Sequence, residues 1–329
     1  MYENMVTARR YEERLQQEYL VGKQPQFDIS AGPIPGELHL AAGHEASAAG
    51  VCVHLRAEDT VTAPHRPHHI AIAKGVDLKR MTAEIFGRAT GLCKGKGGHM
   101  HLYDPAVNFA CSGIIAQGCP PAVGAALAYK KRNTDNVAVA FLGEGAINQG
   151  GFFESLNLAA LHRLPVVFVI EDNEWAISMP KSRVTDVADG SKRAQGFKMA
   201  GTRVDVDDAV AVCEVAGEAI GRARNGNGPT LLEVQVHRRM GHFMGDAEAY
   251  RPAVDRERHA RLDPIPRLAV ELRKQGVTPG DLKEIEARSH RRVDEAIAWA
   301  KAQPEPAGEE ALQDVFTNPF SARNEEALA

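Results

Sequence analysis

Residues 137–178 read VAVAFLGEGAINQGGFFESLNLAALHRLPVVFVIEDNEWAIS. VAVAFL (137–142) and PVVFVI (165–170) are continuous apolar runs of strand length, and GFFESLNLAALHR (151–163) between them carries helical spacing. A strand that is apolar on both faces belongs in a sheet covered on both sides, which is the setting of a parallel sheet. Strand, helix, strand in that order is a βαβ unit with a right-handed crossover. Further along, a helix over 208–224 and a strand over 230–236 (TLLEVQV) continue the alternation. In the other direction the spacing predicts helices over 120–132, opened by Pro120 and Pro121, and over 77–90, capped by Asp77. Residues 1–56 read as helices interrupted at 31–36, and the chain from Asp263 onward reads as helical and charged, with a linker-like Pro-Glu-Pro at 304–306. The expected fold is α/β: a doubly wound, mainly parallel sheet with helices on both faces over residues 57–262, a helical N-terminal arm over 1–56 and a helical C-terminal extension over 263–329.

Composition narrows the functional classes. The 329 residues carry 39 Lys and Arg against 43 Asp and Glu, a net charge of −4, with 44% hydrophobic and 25% charged residues. There is no basic footprint for nucleic acid. No apolar run reaches the length of a membrane span. The N-terminus, MYENMVTARRYEERLQQEYL, mixes acids and bases among its apolar positions and reads as an amphipathic helix, not a signal peptide. Five cysteines without a Cys-x-x-Cys pair suit a reducing cytoplasm.

Ligands of open α/β sheets bind beyond the carboxyl ends of the strands. The first strand of the quoted unit ends in Gly143-Glu144-Gly145-Ala146-Ile147-Asn148, and the second in Glu171-Asp172-Asn173-Glu174-Trp175. Glu144 and Asn173 thus offer two hard oxygens on neighbouring strand tips, a donor pair suited to Mg²⁺. Gly143 and Gly145 admit backbone N–H groups to a phosphate, close to the helix that opens near Gly150. A glycine-flanked acid alone is commonly a turn; its pairing with Asn173, 29 positions later, is what points to a site. The dinucleotide fingerprint is absent, since Asn148 stands where its third glycine belongs and no ribose-binding acid follows, and no Gly-Lys-Ser/Thr phosphate loop occurs.

This combination resembles the α subunits of thiamine-diphosphate-dependent 2-oxo acid dehydrogenase E1 components, the acetoin dehydrogenase type above all. That family's diphosphate motif opens Gly-Asp-Gly or Gly-Glu-Gly and closes Asn-Asn. Further matching segments are LHLAAGHEASAAGV (38–51), HRPHHIAIAKGVD (65–77), AEIFGRATGLCKGKGGHMHLYD (83–104) and RRMGHFMGDAEAYR (238–251). The resemblance implies a thiamine-diphosphate-binding fold, with thiamine diphosphate and Mg²⁺ as cofactors. It implies Glu144, Asn173 and the carbonyl of Trp175 as metal ligands. Arg66, Gly145 and Ala146 would hold the diphosphate, Gly113 and Ile115 the aminopyrimidine, with His65, Gly143 and Asn173 also in contact with the cofactor. His242 takes the place of an active-site histidine at the cofactor's reactive end. The implied reaction cleaves a C–C bond next to a carbonyl, in acetoin or in a 2-oxo acid such as pyruvate, and passes the acyl unit to a lipoyl group of an E2 partner. The glutamate that activates the cofactor comes in that family from a β subunit, so an α₂β₂ assembly is implied.

Four positions depart from the family pattern: Asp172 stands where Asn is usual, Trp175 and His65 where Tyr is usual, and Ala116 where Gly is usual. They leave room for a rival reading, a non-catalytic subunit with a degenerate cofactor site. Phe243 follows His242 where regulated mitochondrial relatives carry a phosphorylatable Ser, which excludes that control here. Thirteen histidines invite a zinc reading, with His65, His68 and His69 together and His99 and His101 expected on one strand face. Zinc needs three or four converging ligands, and the resemblance instead places both groups as polar surroundings of the cofactor. Lys94 and Lys96 read as anion contacts or a solvated loop, His44 and Glu45 as packing or a local hydrogen bond, and Asn148 and Gln149 as loop or helix-cap residues.

Overall fold

The computed structural model describes residues 1–23, 28–205 and 208–315. Its main sheet is built from β1 (Thr60–Ala63), β2 (Tyr103–Asp104), β3 (Phe109–Cys111), β4 (Ala138–Gly143), β5 (Val166–Asp172), β8 (Ala200–Val204) and β9 (Thr230–Gln235). Between β5 and β8, β6 (Trp175–Ala176) and β7 (Met179–Pro180) form a small hairpin of their own. The sheet order is β2-β3-β1-β4-β5-β9-β8. All neighbours run parallel apart from β2 with β3.

The apolar runs at 138–143 and 166–172 fill the middle of this sheet, and their alternation assigns each residue to one of two cores. Val139, Phe141, Val167 and Val169 point into the first, which α1 (Tyr2–Leu20), α2 (Glu45–Cys52), α3 (His68–Lys74), α4 (Leu78–Ile85) and α7 (Ala209–Arg224) cover. Ala138, Ala140, Leu142, Val166, Phe168 and Ile170 point into the second, closed by α5 (Cys119–Lys131) and α6 (Gly150–Leu161). Helices on both faces of a mostly parallel sheet are the doubly wound arrangement expected from the sequence.

Three helices follow the sheet: α8 (Ala253–Arg261), α9 (Pro264–Lys274) and α10 (Pro279–Lys301), the last opened by a capping box between Thr278 and Asp281. α10 packs on α1. The Tyr2 hydroxyl donates to Glu286 at 2.6 Å, Arg10 to Asp294 at 3.0 Å and Lys301 to Glu18 at 2.8 Å. Beneath these, Tyr2, Met5, Val6, Leu268 and Leu282 share a third apolar cluster. The extension expected over 263–329 is described as far as residue 315; the remainder lies outside the described residues. No helix among the described residues is long and apolar enough to cross a membrane.

The sequence reading identifies β4, β5 and β9 and none of the other described strands. β1 (TVTA) is four residues long with two hydroxyls, yet it sits between β3 and β4. β8 (AGTRV) is a partly exposed edge strand. The helix expected over 77–90 is capped by Asp77, whose carboxylate accepts from Arg80 N at 2.8 Å, but it stops at Ile85. Gly87 then takes φ +63°, a conformation that ends a helix.

Candidate active site

β4 and β5 pair in register, with Gly143 opposite Glu171, so the residues after the strand ends emerge side by side. Glu144 is 1% exposed, and its Oε2 accepts from both the backbone N and the Nδ2 of Asn173, each at 3.3 Å. Burial, and then the charge of Asp172, push the Glu144 carboxyl up to about 7. Gly145 is needed here for a different reason from the one expected. A β-carbon on it would come within 2.7 Å of Ala176 Cβ, so a side chain would wedge the β6–β7 hairpin off the strand tip. The helix beyond, α6, begins at Gly150, and Gln149 before it provides no side-chain cap, leaving the N–H groups of Gly150 and Gly151 for another acceptor.

A cavity of about 580 Å³ opens over these strand ends. Every site residue expected from the sequence lines it: His65, Arg66, Gly113, Ile115, Gly143, Glu144, Gly145, Ala146, Asn173, Trp175 and His242. Arg66 is 4% exposed and donates to the carbonyl of His242 at 2.6 Å, while its Nη2 also lies 3.3 Å from His242 Nδ1. Burial and the nearby Arg238 push the Arg66 guanidinium down to about 9. Arg238, 1% exposed, donates to the carbonyl of Ile177 at 3.1 Å and to the Tyr250 hydroxyl at 2.9 Å and also lines the cavity. Two buried guanidiniums in one cavity form a site for an anion.

Sequence reasoning missed Arg238 and His39. Arg238 stands next to Arg239, which makes an ordinary ion pair with Asp263 at 3.0 Å, and the sequence does not say which of the two turns inward. The available signal was its place just beyond the end of β9, where ligands bind. His39 is brought into the cavity only by the fold, with ring centres 4.8 Å from His65 and 4.9 Å from His242. Burial and the Arg66 charge push His242 down to about 3, and burial with neighbouring imidazoles and Arg66 holds His39 and His65 far below the usual imidazole range. The three therefore face the cavity neutral. Their nitrogens lie within 4.8 Å of one another, but two guanidiniums beside them oppose a dication there.

The histidine groups of the sequence come apart. His65 faces the cavity, His68 contacts Glu12 and His69 contacts Glu171, because successive residues at a helix start point in different directions. His99 and His101 lie in a turn, not on a strand; His99 contacts His39 and His101 lines the cavity. Lys94 and Lys96 are taken up by the chain's own Asp314, at 2.8 and 2.9 Å. Glu45 accepts from Gly43 N at 2.9 Å and from Arg9 at 2.6 Å. Asn148 accepts from Arg193 at 2.8 Å.

Three of the four departures find local explanations, and nothing in the structure explains His65. Asp172 turns away from the cavity toward Lys181, which also donates to Glu233 at 2.7 Å. The Trp175 indole is held by Asp255 at 2.9 Å and rests against Tyr250, which leaves its carbonyl independent of the ring. Ala116 keeps the backbone of the glycine it replaces, with φ +62°. A side chain there costs on the order of 1 kcal/mol. Ala116→Gly is accordingly expected to stabilise the chain by roughly 0.5–1 kcal/mol, read as a rise in the urea midpoint at constant m; an unchanged or lower midpoint would count against strain at this position.

The doubly wound sheet with a polar cavity over its strand ends defines the chain as an α/β ligand-binding subunit. The chain belongs to the dehydrogenase E1 component family, whose model matches residues 3–309. It is 41% identical to the α subunit of acetoin:2,6-dichlorophenolindophenol oxidoreductase of Bacillus subtilis, over 97% of this chain and 93% of that one. It is 42% identical to the subunit of the same description from Cupriavidus necator, with the same coverage. Against the α-3 subunit of the pyruvate dehydrogenase E1 component of Arabidopsis thaliana chloroplasts it is 38% identical, over 97% of this chain and 74% of that one. These relatives support an E1 α subunit and not the rival of a non-catalytic subunit.

Proposed function

We propose that this chain is the cofactor-anchoring α subunit of an α₂β₂ E1 enzyme that cleaves acetoin or a 2-oxo acid such as pyruvate and passes the acyl unit to a lipoyl group of an E2 partner. The observation that carries the reading is the buried Glu144–Asn173 pair, 3.3 Å apart on paired strand ends and in one cavity with Arg66 and Arg238. Carbon–carbon cleavage needs a carbanion nucleophile and an electron sink, which thiamine diphosphate supplies when bound.

The residues present fit Mg²⁺ and a diphosphate. Glu144 is a buried carboxylate with no cation in hydrogen-bond contact, since Lys181 is engaged by Asp172 and Glu233. Such a charge is relieved by a hard dication. Glu144, the amide oxygen of Asn173 and the carbonyl of Trp175 would hold that ion. Arg66, the backbone around Gly143, Gly145 and Ala146, and the open start of α6 would take the diphosphate. His65, Gly113 and Ile115 would line the ring end. His242, neutral and hydrogen-bonded through its backbone N–H to Asp246 at 2.7 Å, is positioned to donate or accept a proton at the reacting oxygen. The five cysteines are free and the reading places the protein in a reducing cytoplasm.

The test is co-expression with an E1 β chain from the same genome, followed by dye reduction with acetoin, pyruvate and branched 2-oxo acids. Turnover of one of these, dependent on thiamine diphosphate, Mg²⁺ and the second chain, is expected. Robust turnover by the chain alone, or none by the pair with any of them, would overturn the proposal.

A further inference from the structure

A line of buried side chains runs from the cavity wall to α1. His39, at the cavity wall, has its Nδ1 3.3 Å from His99 Nε2. The His99 and His68 rings are 5.6 Å apart between centres. His68 Nδ1 lies 3.1 Å from one oxygen of Glu12 and 3.2 Å from the other. None of the four side chains is more than 5% exposed, and Glu12 on α1 is fully buried. The remaining nitrogens of these two neighbouring rings, His99 Nδ1 and His68 Nε2, are both buried and have no hydrogen-bond partner among the described residues. Unpaired buried nitrogens are rare, and one bridging water would satisfy both.

We propose that His39, His99, His68 and Glu12 form a proton relay that carries a proton equivalent from the cofactor cavity to His68, where the buried Glu12 carboxylate holds it. This rests on the thiamine-enzyme reading above. With a water bridging His99 and His68, one tautomer satisfies the whole line: each imidazole carries its proton on Nδ1, so His39 donates to His99 and His68 donates to Glu12. A proton taken up at His39 Nε2 from a substrate hydroxyl then releases the Nδ1 proton of His39 to His99 Nε2. The Nδ1 proton of His99 passes to one bridging water, which gives a proton of its own to His68 Nε2. One O–H bond of the substrate is broken, one N–H bond is gained at His68, no electron is transferred, and the positive charge ends beside Glu12.

The surrounding charges give the relay a direction. His39 faces His65, His242, Arg66 and, at 3.8 Å, Glu37; His99 faces His101 and Arg66; His68 faces Glu12 and the Tyr11 ring. Arg66 disfavours an imidazolium at the cavity end, and Glu12 favours one at the far end. Cleavage of a ketol such as acetoin requires removal of a hydroxyl proton as the C–C bond breaks and an aldehyde leaves, whereas loss of CO₂ from a 2-oxo acid does not. The relay matters most for the ketol.

The test uses the reconstituted α–β enzyme with Glu12→Gln and, as a second break in the line, His99→Gln. With acetoin both variants are expected to lose roughly tenfold or more in kcat, with KM and thiamine diphosphate affinity unchanged and an increased solvent deuterium isotope effect; pyruvate turnover falls less. In the cofactor-free chain, ¹⁵N-histidine spectra are expected to report Nδ1–H tautomers at positions 39, 68 and 99, and Glu12→Gln to alter that of His68. Wild-type kcat and isotope effect in folded variants, or Nε2–H tautomers along the line, would overturn the relay. Failure of the wild-type pair to bind thiamine diphosphate would instead overturn the function on which it rests.

Discussion

Glu144→Gln is expected to abolish Mg²⁺-dependent binding of thiamine diphosphate while leaving the cofactor-free chain more stable than wild type. Both effects come from the same burial. In the folded chain the carboxyl titrates near 7, against an ordinary value of 4.5, so the folded state holds this proton more tightly than the unfolded one. The sign follows: the contribution of Glu144 to stability falls as pH rises from about 4.5 to about 7, and the deficit persists above that. Its size is roughly 3 kcal/mol, by the conversion of pKa shift to free energy. Glutamine keeps the shape and the hydrogen bonds to Asn173 but carries no charge to desolvate. The stability advantage of Glu144→Gln should therefore vanish near pH 4.5 and be largest above pH 7. The deleted charge is also the one a dication needs, so affinity and stability move in opposite directions. Calorimetric titration of the cofactor with Mg²⁺ and thermal unfolding across pH check the two halves. Unchanged affinity, or a cofactor-free variant less stable at pH 8, would reject the assignment of Glu144 as a buried metal ligand.

The Glu144–Asn173 pairing is legible in the sequence because burial of a strand on both faces leaves a strong mark. Residues 137–142 and 165–170 have no polar position, which only a sheet covered on both faces tolerates, and parallel neighbours place the residues after their ends together. Glu144 and Asn173 follow from this arithmetic, and the cavity includes every other residue the family resemblance named. What stays hidden depends on convergence from distant parts of the chain. His39 sits in a Leu-His-Leu stretch no different from a satisfied core histidine, and Arg238 beside Arg239 carries no sign of which side chain is buried. The reverse error also arises from proximity in sequence: His65, His68 and His69 look like a cluster and are sent three ways by the start of α3. β1 escapes notice because four residues with two threonines have no distinctive apolar pattern, although their neighbours bury them.

Lys181→Met is expected to destabilise the chain by about 3 kcal/mol, the cost of leaving buried carboxylates without their cation. Lys181 reaches Asp172 and Glu233, whose side chains are 1% and 0% exposed; Arg203, at 3.8 Å from the first and 3.2 Å from the second, compensates only in part. This cluster explains how the chain accommodates Asp172. The aspartate is half of an ion pair on the far side of the strand tip, not a degraded cofactor contact. It follows that Asp172→Asn, the substitution toward the family's usual residue, should largely suppress the damage. In that background Lys181→Met should cost at least about 1 kcal/mol less than in wild type, the coupling expected of side chains in contact. A double-mutant cycle by urea unfolding measures it, and strict additivity would mean that Lys181 and Asp172 do not act as a pair. The same cycle reaches the cavity. Asp172 pushes the Glu144 carboxyl up and Lys181 pushes it down, so Lys181→Met should make Glu144 harder to ionise. Mg²⁺ must displace that proton. The variant's apparent Mg²⁺ affinity should therefore begin to weaken at a higher pH than wild type's as pH falls, and Asp172→Asn should reverse the trend.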